Sequence, residues 1–161
     1  MNPRQCARLT AHLWVLVQGL LLVPYTYALA TTPSVKWGVW RWLGAPLLLL
    51  GGAVALPALL AHGRKLTPLP EPNRALGLQQ RGVYASIRHP MYTGLLLITF
   101  GAAVVLQKPW GVVGALALTL FFNLKAREEE RRLLQSYPEY AEYQTRTGRF
   151  LPKSFLKPPT Q

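Results

Sequence analysis

The sequence has one cysteine, Cys6, and only six acidic side chains among 161 residues. A single cysteine excludes an internal disulfide and a cysteine-rich metal site, and we expect no metal centre of any kind. Charge is also nearly absent from long parts of the chain, although half of the residues are hydrophobic. The apolar residues are concentrated in four runs that contain almost no charged side chains: 13–30, 43–62, 91–106 and 110–124.

These four runs predict an all-α polytopic membrane protein with about four transmembrane helices. The first two are long enough to cross a hydrocarbon layer roughly 30 Å thick. The third is shorter, but from Pro90 to Gln107 it would form about 27 Å of helix, which suffices where the bilayer thins slightly. We therefore expect the chain to be embedded in the lipid bilayer.

The basic residues predict which side of the membrane each segment faces. If the amino terminus is cytoplasmic, all of the 18 basic residues except Lys36, Arg41 and Lys108 lie on the cytoplasmic side, as do all six acids. Such a bias is typical of inner segments. It predicts a multi-pass protein of a bacterial inner membrane with both termini in the cytoplasm. It also accounts for the net charge of +12, so no nucleic-acid partner is expected.

The chain is expected to form one membrane-embedded domain, 1–161, because its length fits a single domain. Residues 9–66 are predicted to hold the first two spans, and 153–161 a flexible basic tail. Between them, 67–152 begins with the proline-rich stretch 67–73, predicted to be a cytoplasmic linker, and then carries the polar motifs.

The last two spans are predicted to form an antiparallel hairpin, because the connection 107–109 is so short. The final helix has no reason to end at Leu124, since the residues up to Gln135 are good helix formers. It is therefore expected to continue as a cytoplasmic helical extension, which ends at Pro138 and is followed by a second short helix.

The hairpin is expected to bring two polar clusters to one depth at the cytoplasmic interface. Pro90 restricts the residue before it and begins a helix, so Arg88 and His89 lie at a helix start. In an antiparallel hairpin they are level with 127–128 within one turn, beside the acidic cluster Glu128–Glu130. Consecutive helix residues point about 100° apart, so at most two of these three carboxylates can face the pair.

Simpler interpretations stay open on spacing alone. The three carboxylates can form a solvated face with neighbouring basic side chains, Arg88 can reach toward lipid phosphates, and His89 can cap the helix. The other two histidines, His12 and His62, lie near the ends of their spans. Both are interpreted as interfacial residues bonded to water or backbone.

The order of motifs from Tyr84 onward resembles that of one family of membrane enzymes. Gly-Val-Tyr84 is followed by Arg88-His89-Pro90-Met-Tyr92-Thr-Gly94, by Glu129-Glu130 with Leu133, by Tyr137-Pro-Glu-Tyr140 and Tyr143, and by Arg149-Phe-Leu-Pro152. Over 67–152 this combination is similar to the isoprenylcysteine carboxyl methyltransferase and phospholipid methyltransferase family. Tyr137-Pro138 departs from the family, in which Phe-Gly is common there, and the amino-terminal half carries no recognisable substrate signature.

The resemblance implies an integral membrane methyltransferase that uses S-adenosylmethionine without a Rossmann domain. It implies an acceptor that is a lipophilic or amphipathic small molecule, isoprenylcysteine-, phospholipid- or isoprenoid-like. His89 and Glu129 are the candidates for a catalytic role, which the sequence does not assign. The resemblance also implies a cofactor pocket lined by six residues: Arg88, His89, Pro90, Tyr92, Glu129 and Glu130.

These residue types suit that cofactor. A glutamate can accept hydrogen bonds from the ribose diol or the ammonium group, while Arg88 or His89 can bind the carboxylate. Tyrosine faces can lie against the sulfonium. In-line methyl transfer needs positioning of the reactants more than acid or base catalysis.

The alternative is a non-catalytic four-span membrane protein that binds lipid or assists the assembly of a membrane complex. The intact Arg88-His89-Pro90 sequence and both glutamates argue against it. A small transporter is disfavoured because spans two to four have no ionisable residue in mid-membrane. The sequence makes no prediction of the oligomeric state.

Overall fold

The described part of the chain folds mainly into α-helices. The computed structural model describes residues 3–63, Leu69 and 77–155. Within this part of the chain, 3-10 turns form at Gly38–Leu43, Gly82–Ala85 and Lys153–Phe155, and an isolated β-bridge joins Ile87 to Gly148. The α-helices are α1 (Pro3–Thr31), α2 (Gly44–His62), α3 (Pro90–Val105), α4 (Pro109–Ser136) and α5 (Tyr140–Arg146). The predicted all-α class is confirmed.

Three segments are long and apolar enough to cross a membrane: Leu9–Thr31, Gly38–His62 and Pro109–Ser136. α3 is a shorter apolar helix of 16 residues, about 24 Å long. It corresponds to the third predicted run, and the four helices together give the polytopic architecture expected from the sequence. Pro24 and Pro57 lie inside α1 and α2, so neither proline ends its helix.

α3 and α4 form the predicted antiparallel hairpin. α3 is capped by Leu106, and Pro109 is the first residue of α4, where its missing N–H costs nothing. Gln107 makes the turn with a φ of 57°. Its carbonyl oxygen accepts a hydrogen bond from Val35 N at 2.9 Å, and its Oε1 accepts one from Trp37 N at 2.9 Å. These bonds fix the end of the bundle that lies opposite the polar motifs.

Glycines bring α2 and α3 into backbone contact. A Cβ atom added to Gly51 would lie 2.8 Å from the carbonyl oxygen of Gly94, and one added to Gly94 would lie 2.5 Å from Ala55 Cβ. The neighbouring Gly52 has open space instead. The close contact therefore passes through Gly51 and Ala55 and not through Gly52, and α3 is held along its length by α2.

The opposite side of α3 packs into an aromatic core with α1 and α4. Tyr25 on α1 donates from its hydroxyl to the carbonyl oxygen of Thr99 at 2.6 Å. Trp14 on α1 packs against Phe121 on α4, with ring centroids 5.6 Å apart. The buried members of the core are Tyr25, Leu96, Ala115, Leu118, Phe121 and Phe122.

Beyond its apolar part, α4 continues to Ser136, which confirms the predicted helical extension. It ends shortly before Pro138, and α5 is the short second helix that was expected. The predicted linker 67–73 lies outside the described residues except for Leu69. Of the predicted flexible tail, the structure describes only the 3-10 turn Lys153–Phe155.

Candidate functional site

The site lies where the chain enters α3. The 3-10 turn Gly82–Ala85 precedes it, and His89 is the N-cap residue with φ −122° and ψ 59°. His89 occupies the N-cap position, but its side chain makes no capping hydrogen bond to the helix backbone. The interpretation of its imidazole as a helix-capping group is therefore not supported. Pro90 is fully buried as the first residue of the helix. The ψ of 59° at His89 is short of the extended values usual before proline, and both ring nitrogens of His89 face α4.

Residues 147–150, which we call the C-terminal strap, pair with the approach to α3. Arg88 N donates to the carbonyl oxygen of Gly148 at 2.8 Å, and Gly148 N donates to that of Ser86 at 3.1 Å. His89 N donates to the carbonyl oxygen of Arg149 at 3.1 Å. The strap therefore holds the backbone of the Arg88-His89 pair, although its residues are 59 or more positions away.

Glu130 is the centre of an ion-pair network. Its Oε1 accepts from Arg88 Nε at 2.9 Å and lies 3.3 Å from His89 Nε2. Arg149 from the strap contacts both carboxylate oxygens, with Nη2 2.6 Å from Oε2 and Nε 3.1 Å from Oε1. The Glu130 side chain is only 5% exposed. Most of its capacity to accept hydrogen bonds is thus used inside the protein.

Arg88 joins three parts of the chain. Besides Glu130 on α4, its Nη1 contacts the carbonyl oxygen of Gln144 on α5 at 3.3 Å and that of Thr147 in the strap. These donors are directed into the protein, not toward lipid phosphates. Arg88 therefore organises the site from within.

Glu129 is the more accessible of the two inward carboxylates. Its side chain is 18% exposed, and Oε2 lies 3.4 Å from His89 Nδ1. Its Oε1 accepts a hydrogen bond from the Tyr92 hydroxyl. The Tyr92 ring stacks parallel to His89 at 5.4 Å and contacts Phe122 at 4.7 Å. Carboxylate, imidazole and phenol thus share one surface.

His89 is buried between the two carboxylates, one at each ring nitrogen. Burial lowers the pKa of His89, but its hydrogen bonds to Glu129 and Glu130 outweigh burial and leave that pKa above its ordinary value. The imidazole therefore binds a second proton more readily than an isolated histidine does.

The structure brings together all six predicted pocket residues, and it separates the third glutamate from them. Glu128 turns away and pairs with Arg131 and Arg132, each at 2.8 Å. The interpretation as a solvated charged face is correct for Glu128, while Glu129 and Glu130 face the site. The register differs from the prediction by up to three residues, within one turn. Arg88 and His89 precede the first helical residue, Pro90, so a count that assumes a helical rise for both residues does not apply to them.

Sequence reasoning missed several residues at the site. Arg149 was noted in the motif pattern, yet its pairing with Glu130 depends on the strap folding back. Lys125, a basic neighbour of the three carboxylates in the sequence, is 1% exposed and so is not part of a solvated face. Its Nζ donates to Gln18 Oε1 at 2.7 Å and lies 5.5 Å from the centre of the Tyr92 ring. The signal that was available is Gln18 itself, a polar side chain inside an apolar run.

Comparison with known proteins identifies the family of this chain. The sequence profile of the family described as phospholipid methyltransferase matches residues 39–140, more than half of the chain. The chain belongs to the phospholipid methyltransferase family. The match includes α2, α3 and α4, so it begins upstream of the motif region 67–152, and it ends before the strap.

Two similar proteins are longer than the part of them that aligns with this chain. It is 34% identical over 143 residues to the cobalt-zinc-cadmium resistance protein CzcN of Cupriavidus metallidurans, an alignment covering 86% of the chain and 64% of CzcN. It is 32% identical over 142 residues to protein-S-isoprenylcysteine O-methyltransferase A of Arabidopsis thaliana, covering 83% of the chain and 72% of that protein.

A solved structure has the same fold. It is that of the eukaryotic intramembrane Ras methyltransferase ICMT, isoprenylcysteine carboxyl methyltransferase, with a TM-score of 0.63 and 23% sequence identity. The alignment covers 94% of the chain but only 54% of the ICMT chain. The helices described above therefore correspond to about half of that larger membrane protein.

Proposed function

We propose that the protein is an integral membrane methyltransferase that transfers a methyl group from S-adenosylmethionine to a lipophilic or amphipathic small acceptor. The observation that carries this proposal is the convergence of Glu129, His89 and Tyr92 at one end of the α3–α4 hairpin. Membership of the phospholipid methyltransferase family supports the same reaction class.

The residues at the site fit this cofactor. Glu129 offers a partly exposed carboxylate that can accept from ribose hydroxyls or from an ammonium group. The rings of Tyr92 and Phe150 offer aromatic faces for a cation, and they lie 5.4 Å and 6.2 Å from the His89 ring. When bound, S-adenosylmethionine supplies an electrophilic methyl group on a positively charged sulfur.

The six predicted pocket residues divide into two roles in this proposal. Glu129, His89 and Tyr92 contact the cofactor. Arg88, Pro90 and Glu130 complete the pocket by holding the first three in place. We assign the second role because Arg88 and Glu130 are largely engaged with each other and with the strap. A fixed polar surface of this kind lowers the cost of orienting a reactant.

Glu129 is the better candidate to accept a proton, should the acceptor be an amine or a thiol. Both ring nitrogens of His89 face carboxylates, so in its protonated form both are donors and neither can take another proton. Glu129 keeps an exposed edge and acceptor capacity. His89 then orients Glu129 and does not act as the base.

The surroundings of the site support a lipophilic or amphipathic acceptor. The site adjoins two apolar helices, so a molecule with an isoprenoid or acyl portion can lie in the bilayer while its reactive group reaches Glu129. Isoprenylcysteine-, phospholipid- and isoprenoid-like acceptors all meet this requirement. The charge distribution supports placing both termini and the site on the cytoplasmic side of a bacterial inner membrane.

Methyl transfer in proteoliposomes tests the proposal. Purified protein would receive S-adenosylmethionine labelled on its methyl group, with vesicles of phosphatidylethanolamine or vesicles containing a farnesylcysteine derivative. We expect label in the lipid extract for wild type and Glu128→Gln, and at least about tenfold less for Glu129→Gln, a loss of about 1.4 kcal/mol. Failure to bind the cofactor and to label any acceptor class would contradict the proposal and favour a non-catalytic lipid-binding or assembly role.

A further inference from the structure

His62 reaches the segment that leads into the site. It lies in the last turn of α2, and its Nδ1 is 3.0 Å from the carbonyl oxygen of Ala58 and 3.3 Å from the Tyr84 hydroxyl. The two rings are tilted by 51°, with centroids 5.6 Å apart. A backbone-bonded interfacial histidine, as interpreted from the sequence, explains the Ala58 contact. It does not explain the contact with Tyr84.

Tyr84 is held at both ends. It is only 8% exposed, and the Tyr143 hydroxyl donates to its carbonyl oxygen at 2.5 Å. That bond fixes the backbone of Tyr84, whereas the contact with His62 acts on the hydroxyl at the far end of the side chain. The position of the phenol thus depends on α2 as well as on α5.

Tyr84 belongs to the approach to the site. It lies in the 3-10 turn four residues before Arg88, and the turn continues through a hydrogen bond from Ile87 N to the carbonyl oxygen of Val83 at 3.2 Å. Burial raises the pKa of the Tyr84 phenol, and the neighbouring Tyr143 and Glu129 raise it further. The phenol is therefore held in its protonated form beside His62.

We propose that His62 is a positioning residue of the cofactor site, which acts through Tyr84 to fix the turn that leads into Arg88 and His89. The proposal rests on the function proposed above. Because the Ala58 carbonyl oxygen can only accept, Nδ1 of His62 carries the proton and shares its N–H between that carbonyl and the Tyr84 hydroxyl oxygen. Cofactor affinity should therefore depend on a polar atom at the Nδ1 position and not on the aromatic ring of residue 62.

Equilibrium binding of S-adenosylmethionine to the detergent-purified full chain tests this inference. His62→Phe keeps a ring against Tyr84 but removes Nδ1, and we expect it to weaken binding about fivefold, as for other coupled pairs. His62→Asn places an amide atom near the Nδ1 position and should bind within about twofold of wild type. His12→Phe, on the exposed face of α1, is the matched control and should bind as wild type does.

A second substitution tests the route through Tyr84. Tyr84→Phe removes one oxygen atom and should weaken binding as much as His62→Phe, and the double variant should bind no more weakly than either single variant. Wild-type affinity in His62→Phe or Tyr84→Phe, or multiplied losses in the double variant, would overturn the inference and leave the proposed function intact. If wild type itself binds no cofactor, the proposed function fails first.

Discussion

Glu130 accepts hydrogen bonds from Arg88, His89 and Arg149 while being almost completely buried. Removing its charge leaves two guanidinium groups facing an uncharged partner, which is the costly way to break a buried ion pair. We expect Glu130→Gln to lower the free energy of unfolding by about 3 kcal/mol, measured as a fall in Tm of the detergent-purified protein. Glu128→Gln should leave Tm nearly unchanged, because Glu128 pairs at the surface. Equal Tm values for the two variants would contradict the assigned roles.

His89 makes stability depend on pH in a defined direction. Its carboxylate partners hold its pKa above the ordinary value, despite the opposing effect of burial. Folding therefore favours the protonated form, and this contribution is fully present below about pH 6.5, the pKa of a free histidine. It is lost as the pH rises through the folded-state pKa. Wild-type Tm should fall over that range, and His89→Gln should lack this component. Parallel Tm curves for both proteins would refute the interpretation.

The C-terminal strap is the element that completes the site, and Gly148 is its tightest point. A Cβ atom there would lie 1.7 Å from the carbonyl oxygen of Leu151. Gly148→Ala must therefore displace the strap and withdraw Arg149 from Glu130. We expect about tenfold weaker binding of S-adenosylmethionine, or 1.4 kcal/mol, with unchanged helix content by circular dichroism. Gly19→Ala, in open space on α1, is the control. If Gly148→Ala binds S-adenosylmethionine as tightly as wild type, the C-terminal strap does not contribute to the cofactor site.

The α2–α3 interface offers a matched pair of adjacent glycines. A side chain at Gly51 meets the Gly94 carbonyl oxygen and the Ile98 side chain, both at 2.8 Å, whereas one at Gly52 meets open space. Gly51→Val should cost about 1–3 kcal/mol by overpacking, and Gly52→Val should have little effect. Thermal unfolding of both variants measures the difference. A larger loss for Gly52→Val would mean that α2 is rotated from the position described here.

At the scale of the whole molecule, the side of the membrane on which the amino terminus lies can be measured at Cys6, the only cysteine in the sequence. If the amino terminus is cytoplasmic, a membrane-impermeant maleimide should not label Cys6 in intact cells and should label it after permeabilisation. Ser34→Cys in a Cys6→Ser background lies in the exposed segment after α1 and should be labelled in intact cells. The reverse pattern would invert the proposed orientation.

Much of this architecture could be predicted from the sequence, because hydrophobic runs and charge bias report directly on membrane spans. The short connection 107–109 specified the hairpin, and the hairpin brought His89 to Glu129 and Glu130. The pairing of Arg149 with Glu130 could not be predicted, since it depends on a nonlocal turn of the chain after α5. Gln18 was a signal for the burial of Lys125, but it did not suffice, because helix rotation decides which polar residue faces inward.

Glu128 and Glu129 are adjacent on α4 and point about 100° apart. Glu128 pairs with Arg131 and Arg132, whereas Glu129 contacts His89 and Tyr92. Replacing either glutamate by glutamine removes the same charge from α4. Comparing the two variants therefore distinguishes an effect at the site from an effect of the net charge of the helix. The decisive measurement is equilibrium binding of S-adenosylmethionine to wild type, Glu129→Gln and Glu128→Gln in detergent and in lipid. We expect saturable binding by wild type and Glu128→Gln, and at least about tenfold weaker binding by Glu129→Gln. Absence of binding by folded wild type, or equal binding by all three proteins, would contradict a cofactor site at Glu129.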